Sequence, residues 1–332
     1  MSRKLVISFL TLVLLLAGCA PTATSTPTPV STAVPTAELV PLSTLAPTLH
    51  PAIKLTDGLG RTVTLSGLAQ RVISLAPSNT EILYAVGAGA QVVGRDETSD
   101  YPTQALSLPT VGGYSGFNTE AIVALHPDLV LAGGINTPEL VASLEQLGLT
   151  VYYLSNPTTL EEMYTNLETV ARLTGHETEA TMLVDSLKTR VAAVDTRIAI
   201  VTSKPTVYYE IDATDPTKPY TYGPGSFGDL LIQRAGGVNI GSSLPGQFAQ
   251  ISLEQLVVAN PSIILLGDST LADPVNGMTP DKVKQRPGWE GLDAVKNNQI
   301  FLFDDNLISR PGPRLVDGLE ALVKLLHPDL FK

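Results

Sequence analysis

The sequence predicts an α/β fold in which two parallel-sheet lobes are joined by one long helix, and three observations support this. From Arg71 onward, short apolar runs alternate with amphipathic stretches, which is typical of parallel strands connected by helices. One segment occurs twice, because residues 120–133 and 254–267 match position for position at an offset of 134. Between the two copies, residues 177–200 carry a stripe of apolar side chains at helical spacing.

The first lobe is predicted to start with a strand–helix unit. Residues 72–75 form a short apolar run typical of a buried strand, and residues 76–79 are expected to form a turn. Residues 80–86 then form an amphipathic helix that ends before Gly87. The same reasoning predicts further strands at 91–94, 129–132 and 151–154, and further helices at 119–125 and 138–147.

The repeat is the basis of the two-lobe prediction. A single recurrence of a helix, a proline turn and a buried strand can arise by chance in an α/β protein. A looser correspondence pairs residues 81–89 with 229–237, in the same order along the chain. Two correspondences in order favour two Rossmann-like lobes, whereas a solenoid needs at least about three copies at a period of about 20–50 residues. The linking helix, at about 1.5 Å per residue, would span roughly 30 Å, about one domain diameter.

The N-terminus is typical of an exported protein. Arg3 and Lys4 precede an apolar run at residues 5–16, which is shorter than the roughly 20 residues of a membrane-spanning helix. Residues 16–19 (Leu-Ala-Gly-Cys) resemble the lipobox of bacterial lipoproteins, and Cys19 is the only cysteine. The resemblance implies that the signal peptide is removed and that a lipid on Cys19 anchors the protein in the cell envelope, outside the cytoplasm. An ordinary secretory signal with an incidental cysteine is the alternative.

Residues 20–50 consist largely of Thr, Pro, Ser and Ala. Such a composition buries too little apolar surface to offset the chain entropy, so we expect a flexible stalk. The predicted division is a lipoprotein signal peptide (1–18), a Thr/Pro-rich stalk (19–53), an N-terminal α/β lobe (54–165), a linking helical segment (166–200) and a C-terminal α/β lobe (201–332).

Composition and missing motifs exclude several classes of protein. The chain has 21 basic and 32 acidic side chains and a net charge of -11, so it would repel a nucleic acid backbone. One cysteine and four widely spaced histidines predict neither a disulfide framework nor a metal site. The motifs of serine hydrolases, zinc proteases and P-loop proteins are absent from the sequence. These observations predict a protein that is not an enzyme, with an exported cell-surface enzyme as the alternative.

Several short motifs together resemble one family. They are Leu75-Ala-Pro-Ser-Asn-Thr-Glu81, Thr98-Ser-Asp-Tyr-Pro102, Val111-Gly-Gly-Tyr114 with Asn118-Thr-Glu120, and Arg310-Pro-Gly-Pro-Arg314. In this order they resemble the cobalamin and iron-siderophore family of ABC-transporter substrate-binding proteins, and most closely its vitamin B12-binding branch, over about four-fifths of the chain. The resemblance implies a ligand cleft between the lobes and docking onto a permease dimer driven by a cytoplasmic ATPase. It also implies a monomer without a cofactor of its own that binds a small molecule.

Aromatic side chains are the basis of the ligand prediction. By resemblance, Tyr101, Tyr114, Tyr220 and Phe248 fall where the family lines its cleft. A flat macrocycle such as the corrin of cobalamin binds well between aromatic faces. Core packing is the alternative role for each aromatic residue. The resemblance also assigns ligand binding to polar residues of the motifs and of the last loop, namely Ser78, Asn79, Asn306 and Arg310. The alternative for Arg310 is a surface charge.

Two other ligands are alternatives on the same fold. The only tryptophan, Trp289, is at neither position where the B12 binders have tryptophan, so the aromatic cage would consist of tyrosine and phenylalanine. A tyrosine at position 114 also resembles the heme-binding branch, in which a tyrosinate coordinates ferric iron. Only with heme would Tyr114 be a metal ligand. A ferric siderophore would require cationic side chains, and Arg310 is the chief candidate.

Glu120 and Glu254 are predicted to dock onto the permease. They stand at the start of the repeated helix, one in each lobe, and the resemblance implies that such a pair contacts arginines on two permease subunits. A two-fold permease requires matching contacts from both lobes. The alternative is that each glutamate only complements a helix dipole, an effect worth about 0.3 to 1 kcal/mol.

Overall fold

Two parallel sheets form the framework of the protein in a computed structural model, which describes residues 52–269 and 271–331. The predicted signal peptide, Cys19 and the stalk before residue 52 lie outside these residues. The N-terminal lobe and the linking helix contain the first strands and helices of this region. The strands are β1 Ile53–Thr56, β2 Thr62–Leu65, β3 Val72–Ser74, β4 Val92–Arg95, β5 Gly112–Gly113, β6 Gly116–Phe117, β7 Leu129–Ala132 and β8 Val151–Tyr153. The helices are α1 Pro77–Ala85, α2 Thr119–Ala124, α3 Pro138–Gln146, α4 Leu160–Thr174 and the linking helix α5 Glu177–Ile198.

The C-terminal lobe follows the linking helix. Its strands are β9 Thr206–Glu210, β10 Tyr220–Tyr222, β11 Val238–Asn239, β12 Phe248–Gln250, β13 Ile263–Leu266 and β14 Ile300–Leu302. Its helices are α6 Phe227–Arg234, α7 Leu253–Ala259, α8 Pro280–Lys284, α9 Asp293–Lys296, α10 Asn306–Ser309 and α11 Leu315–Leu326. Within the two described ranges, no helix is both long enough and apolar enough to cross a membrane.

The two main sheets have the same topology. The first has the order β4-β3-β7-β8 and the second β11-β9-β13-β14, and neighbouring strands are parallel in both. Strands β7 and β13 occupy the third place in their sheets and coincide with the repeated segments of the sequence. The prediction of two parallel-sheet lobes is confirmed, and the repeat reflects the topology that they share.

The helices of the repeat begin and end in the same way. The side chains of Asn118 and Ser252 each accept a hydrogen bond from the backbone amide three residues further on, at the starts of α2 and α7. Such caps satisfy amides that a helix leaves unpaired. After the helices, His126 and Asn260 adopt positive φ angles of 46° and 40°. Both left-handed residues end their helix and turn the chain toward the next strand.

One local prediction was wrong. Residues 76–79 do not form a turn, because α1 already begins at Pro77. Ala76 before it is extended, with φ -151° and ψ 144°. Proline is favoured in the first turn of a helix, where its missing amide hydrogen costs no hydrogen bond. Ser78 and Asn79 therefore lie in the first turn of a helix.

The linking helix α5 packs against both lobes. It contacts α4 on one side and α11 on the other, and Arg190 of α5 forms ion pairs with Asp317 and Glu320 of α11 at 2.5 and 2.8 Å. Buried side chains of α4, α5, α6 and α11 form one continuous apolar cluster with a face of each sheet. The opposite faces of the two sheets are covered by separate clusters. The predicted boundary after residue 165 falls inside α4.

Candidate ligand-binding cleft

The carboxyl ends of the two sheets meet at a cleft between the lobes. Asn156 and Pro157, which follow β8, line a small cavity together with Ile308, Ser309 and Pro311, which follow β14. In open parallel sheets, a ligand usually binds outside the carboxyl ends of the strands. The cleft is therefore the candidate site.

The four predicted aromatic residues have exposed side chains. The exposed fractions are 45% for Tyr101, 95% for Tyr114, 41% for Tyr220 and 62% for Phe248. Exposures this large exclude core packing, the alternative that the sequence left open. Tyr101 and Tyr114 belong to the N-terminal lobe and the other two to the C-terminal lobe, so both lobes contribute exposed rings.

Phe248 and Tyr220 lie on a two-stranded ribbon. Strands β10 and β12 pair in an antiparallel register that places Tyr222 opposite Phe248, with ring centroids 5.9 Å apart. Tyr222 is fixed in turn, because its hydroxyl donates to Asp305 Oδ1 at 3.0 Å. Phe248 lines the cavity between the lobes. A buried aromatic ring thus supports the exposed ring that faces the cleft.

Tyr114 lies in the turn between β5 and β6, beside a cavity of about 390 Å³. The hairpin requires glycine at position 112, where φ is +101° and a Cβ atom would lie 2.3 Å from the carbonyl oxygen of Gly116. The same cavity is lined by Ile135 and Asn136, which follow β7. Neither residue was predicted from the sequence, although a position just after a buried strand is the signal for a place at the sheet edge.

The polar residues predicted to bind the ligand differ in their burial and in their distance from the contact between the lobes. The backbone of Ser78 lies against Gly312 of the C-terminal lobe, at the contact between the lobes. Asn306 is partly buried and donates from Nδ2 to Asp304 Oδ1 at 3.0 Å. Asn79, by contrast, is 2% exposed and donates to the carbonyl oxygen of Leu131 at 3.1 Å. Its side chain holds α1 against β7 inside the N-terminal lobe, which argues against a ligand contact.

Arg310 belongs to a cluster of four charged residues that joins the lobes, which we call the inter-lobe cluster. It consists of Glu81 and Asp100 from the N-terminal lobe and Arg310 and Arg314 from the C-terminal lobe. The Arg310 side chain is 13% exposed, so it is not a free surface charge. The guanidinium of Arg314 also lies over the ring of Tyr101, 4.0 Å from its centroid. Glu81, Asp100 and Arg314 were not predicted as site residues, although all three lie within the motifs that carry the family resemblance.

Glu120 and Glu254 occupy equivalent positions on the surface. Each is the second residue of its helix, one in α2 and the other in α7, and each is exposed. Three residues further on, Val123 and Val257 are also exposed. Each helix therefore presents a carboxylate and an apolar side chain to solvent. The geometry agrees with a docking role, which remains a prediction.

The C-terminal lobe buries charged groups at the carboxyl end of its sheet. Glu210, the last residue of β9, is fully buried and accepts hydrogen bonds from Arg286 at 2.5 and 2.8 Å. The hydroxyl of Tyr208 donates to the same carboxylate at 3.3 Å. Asp268, just after β13, has one carboxylate oxygen without a hydrogen-bond partner. Burial and the nearby negative charge of Glu210 raise the pKa of Asp268 to about 7.

In the described part of the chain, no three His, Cys, Asp or Glu residues are grouped to hold a metal ion.

Asp268→Asn is expected to stabilise the protein at alkaline pH. Because the folded state raises the pKa of Asp268, its carboxyl keeps a proton between about pH 4 and pH 7 that the unfolded chain has already released. The free energy of unfolding therefore falls as the pH rises through this range. The amide cannot ionise, so the variant should gain about 1 to 2 kcal/mol at pH 8 and little at pH 4, after allowance for solvent screening of a partly exposed group. The measurement is the melting temperature across this pH range. Asp281→Asn, at a carboxylate whose side chain is 85% exposed, is the control, and parallel curves for Asp268→Asn and wild type would contradict the prediction.

Comparison with known proteins agrees with this geometry. The sequence profile of the periplasmic binding protein family matches residues 72–307. The vitamin B12-binding protein of Vibrio cholerae serotype O1 is 32% identical over 78% of this chain and 89% of its own length. An uncharacterized ABC transporter substrate-binding lipoprotein of Bacillus subtilis, YvrC, is 29% identical over 84% of this chain and 87% of its own length.

Solved structures of such proteins have the same fold. The crystal structure of the periplasmic vitamin B12-binding protein of Vibrio cholerae superposes with a TM-score of 0.66 and 31% identity, over 80% of this chain and 98% of that protein. The periplasmic heme-binding protein RhuT of Roseiflexus sp. RS-1, in its apo form, superposes with a TM-score of 0.70 and 26% identity, over 79% of this chain and 99% of that protein. The profile match, the relatives and the two-lobe fold together show that the chain belongs to the periplasmic binding protein family of ABC-transporter substrate-binding proteins, as its motifs predict.

Proposed function

We propose that this protein is the lipid-anchored substrate-binding component of an ABC importer, that it captures a corrinoid such as cobalamin outside the cytoplasm, and that it delivers the ligand to a permease dimer without catalysing a reaction. The observation that carries the proposal is the set of exposed aromatic rings, two from each lobe: Tyr101, Tyr114, Tyr220 and Phe248. Aromatic side chains bury a large area with little loss of rotamer entropy, so they suit a large, flat and rigid ligand.

The charges at the cleft favour a corrinoid over a ferric siderophore. Arg310 and Arg314 lie at the contact between the lobes, and each is already paired with a carboxylate of the N-terminal lobe. A polyanionic iron chelate would need cations that are not already paired. The corrin of cobalamin instead carries amide side chains around an apolar rim, which aromatic faces and hydrogen-bonding groups can bind.

Heme is a second candidate, and one observation favours it. The side chain of Tyr114 is 95% exposed beside the 390 Å³ cavity, so its hydroxyl is accessible to a ligand. A tyrosine oxygen is an axial ligand of heme iron in some heme proteins. The structural similarity to the heme-binding protein of Roseiflexus also supports this candidate.

The anchor and the importer are supported by the sequence and the relatives. Cys19 follows the apolar run as the only cysteine, and YvrC of Bacillus subtilis is named as an ABC transporter substrate-binding lipoprotein. We therefore propose the division into signal peptide, stalk, two lobes and linking segment given above, with lipid attached to Cys19 and the protein acting as a monomer.

Titration of the purified protein with cyanocobalamin tests the ligand. Saturation at about 100 times Kd should stabilise the fold by about 2.7 kcal/mol, without chemical change of the ligand. Phe248→Ala and Tyr114→Ala should each weaken binding about tenfold, since each removes a stacking surface worth roughly 1 to 1.5 kcal/mol. The binding constants are measured by calorimetry.

Phe331→Ala is the matched control, because this ring is 42% exposed and contacts Arg197 of the linking helix. Its replacement should leave the affinity unchanged. Absence of cyanocobalamin binding would refute the corrinoid proposal. In that case, tight binding of hemin that is lost in Tyr114→Phe would support the second candidate.

A further inference from the structure

The two carboxylates of the inter-lobe cluster differ in burial, because Glu81 is buried and Asp100 is exposed to solvent. The Glu81 side chain is 1% exposed and accepts hydrogen bonds from Arg314 Nε at 2.8 Å and Nη2 at 2.6 Å. Two parallel bonds in a buried place make a strong and rigid pair. Because Glu81 is on α1 and Arg314 just precedes α11, this pair fixes one lobe against the other.

Arg310 is bound differently. Its Nη1 atom donates to Asp100 Oδ1 at 2.6 Å and only more weakly to Glu81 Oε1, at 3.2 Å. The Asp100 side chain is 56% exposed, so water and ligands can reach it. Burial raises the pKa of Asp100, but the hydrogen bond and the positive charge of Arg310 lower it by more, so the net change is downward. Asp100 is thus an ionised, accessible carboxylate at the guanidinium that a ligand would approach.

We propose that Asp100 determines the charge preference of the cleft by occupying Arg310, so that the cleft accepts a neutral or cationic macrocycle and rejects one with free carboxylates. This inference rests on the proposed function as a macrocycle-binding protein. Two carboxylates and two guanidinium groups leave the inter-lobe cluster with no net charge. A ligand carboxylate must therefore displace the carboxylate of Asp100 from Arg310. Because the chain tethers Asp100 there, its effective concentration at Arg310 is about millimolar.

The position of Arg310 makes this competition relevant to ligand binding. Its neighbours Ser309 and Pro311 line the inter-lobe cavity together with Phe248. On the other side, Tyr101 directly follows Asp100 in the chain and stacks with Arg314. A macrocycle held by Tyr101 and Phe248 would thus bring its substituents to Arg310. Removal of Asp100 would leave Arg310 with only its longer hydrogen bonds, to Glu81 Oε1 at 3.2 Å and to the carbonyl oxygen of Thr98 at 3.4 Å. Arg314 would keep both of its bonds to Glu81.

Asp100→Asn tests the inference, with hemin as the probe that has two carboxylates and cyanocobalamin as the probe that is neutral overall. The variant gives the cluster a net positive charge, so hemin should bind about tenfold tighter than to wild type, whereas the affinity for cyanocobalamin should change by less than about threefold. The gain for hemin should shrink in 0.5 M salt, at a Debye length of about 4 Å. Asp100→Glu, which keeps the charge, should retain the preference of the wild type.

Asp281→Asn is the control, because it removes a carboxylate whose side chain is 85% exposed and which lies outside the inter-lobe cluster. It should not change the affinity for hemin if pairing with Arg310 is what matters. An unchanged hemin affinity in Asp100→Asn, or an equal gain in Asp281→Asn, would overturn the inference. Failure of the wild type to bind cyanocobalamin would overturn the proposed function instead, and the comparison with hemin would still test the role of Asp100.

Discussion

Arg286→Met is expected to destabilise the protein by about 3 to 5 kcal/mol, because it leaves a buried carboxylate without its partner. The Arg286 side chain is 8% exposed and makes two hydrogen bonds to the fully buried Glu210. Its guanidinium also lies 4.5 Å from the ring centroid of Trp289. Without this cation, Glu210 would share the sheet edge with Asp268, which already retains its proton unusually well.

Denaturant unfolding at pH 8 measures the loss. Arg234→Met is the control, since its ion pair with Asp195 is 29% and 47% exposed and should be worth no more than about 1 kcal/mol. The double variant Arg286→Met with Glu210→Met should recover much of the loss, because an apolar pair needs no charge compensation. A cost below about 1 kcal/mol in the single variant would show that Glu210 does not need Arg286.

The fold could be predicted because its signals are local and repeated. Apolar runs of three or four residues mark the buried strands, and β7 and β13 occur where the repeat places them. The linking helix begins at Glu177 as its apolar stripe predicts. The start of α1 could not be predicted in the same way, because Pro77 is compatible with both a turn and the first turn of a helix.

The candidate site could be predicted only in part. Its aromatic residues followed from the family resemblance, and their exposure then excluded a core role. The charged pairs could not be predicted from local sequence patterns. Glu81 and Arg314 are 233 positions apart, and Glu210 and Arg286 are 76 positions apart. No periodicity connects such partners. Glu81 and Arg314 meet where α1 of one lobe faces the start of α11 in the other, and Glu210 and Arg286 meet at the carboxyl edge of the second sheet. For the same reason the burial of Asn79 was not visible in its motif.

Glu120→Ala combined with Glu254→Ala is expected to abolish transport while ligand binding persists. Both carboxylates stand at the second position of capped helices that the two lobes share by internal repeat. A permease of two identical subunits offers two identical binding surfaces, and only matching groups on the two lobes can satisfy both. Each single variant keeps one contact and should retain part of the activity, whereas the double variant should lower uptake at least about tenfold.

The measurement compares two quantities for the double variant. One is cyanocobalamin uptake by cells that produce it in place of the wild type, and the other is the Kd of the purified variant for cyanocobalamin. Glu139→Ala is the control, because Glu139 is exposed in the first turn of α3 and lies outside the repeat. If the two glutamates served only the helix dipoles, all three replacements would cost about 0.3 to 1 kcal/mol of stability each and transport would continue. Unchanged uptake in the double variant would therefore assign both residues to helix stability. Lost uptake with an unchanged Kd, at an unchanged amount of protein in the cell envelope, would place the defect after capture, at the contact with the permease. The internal repeat would then be the feature that matches a two-lobed protein to a two-fold partner.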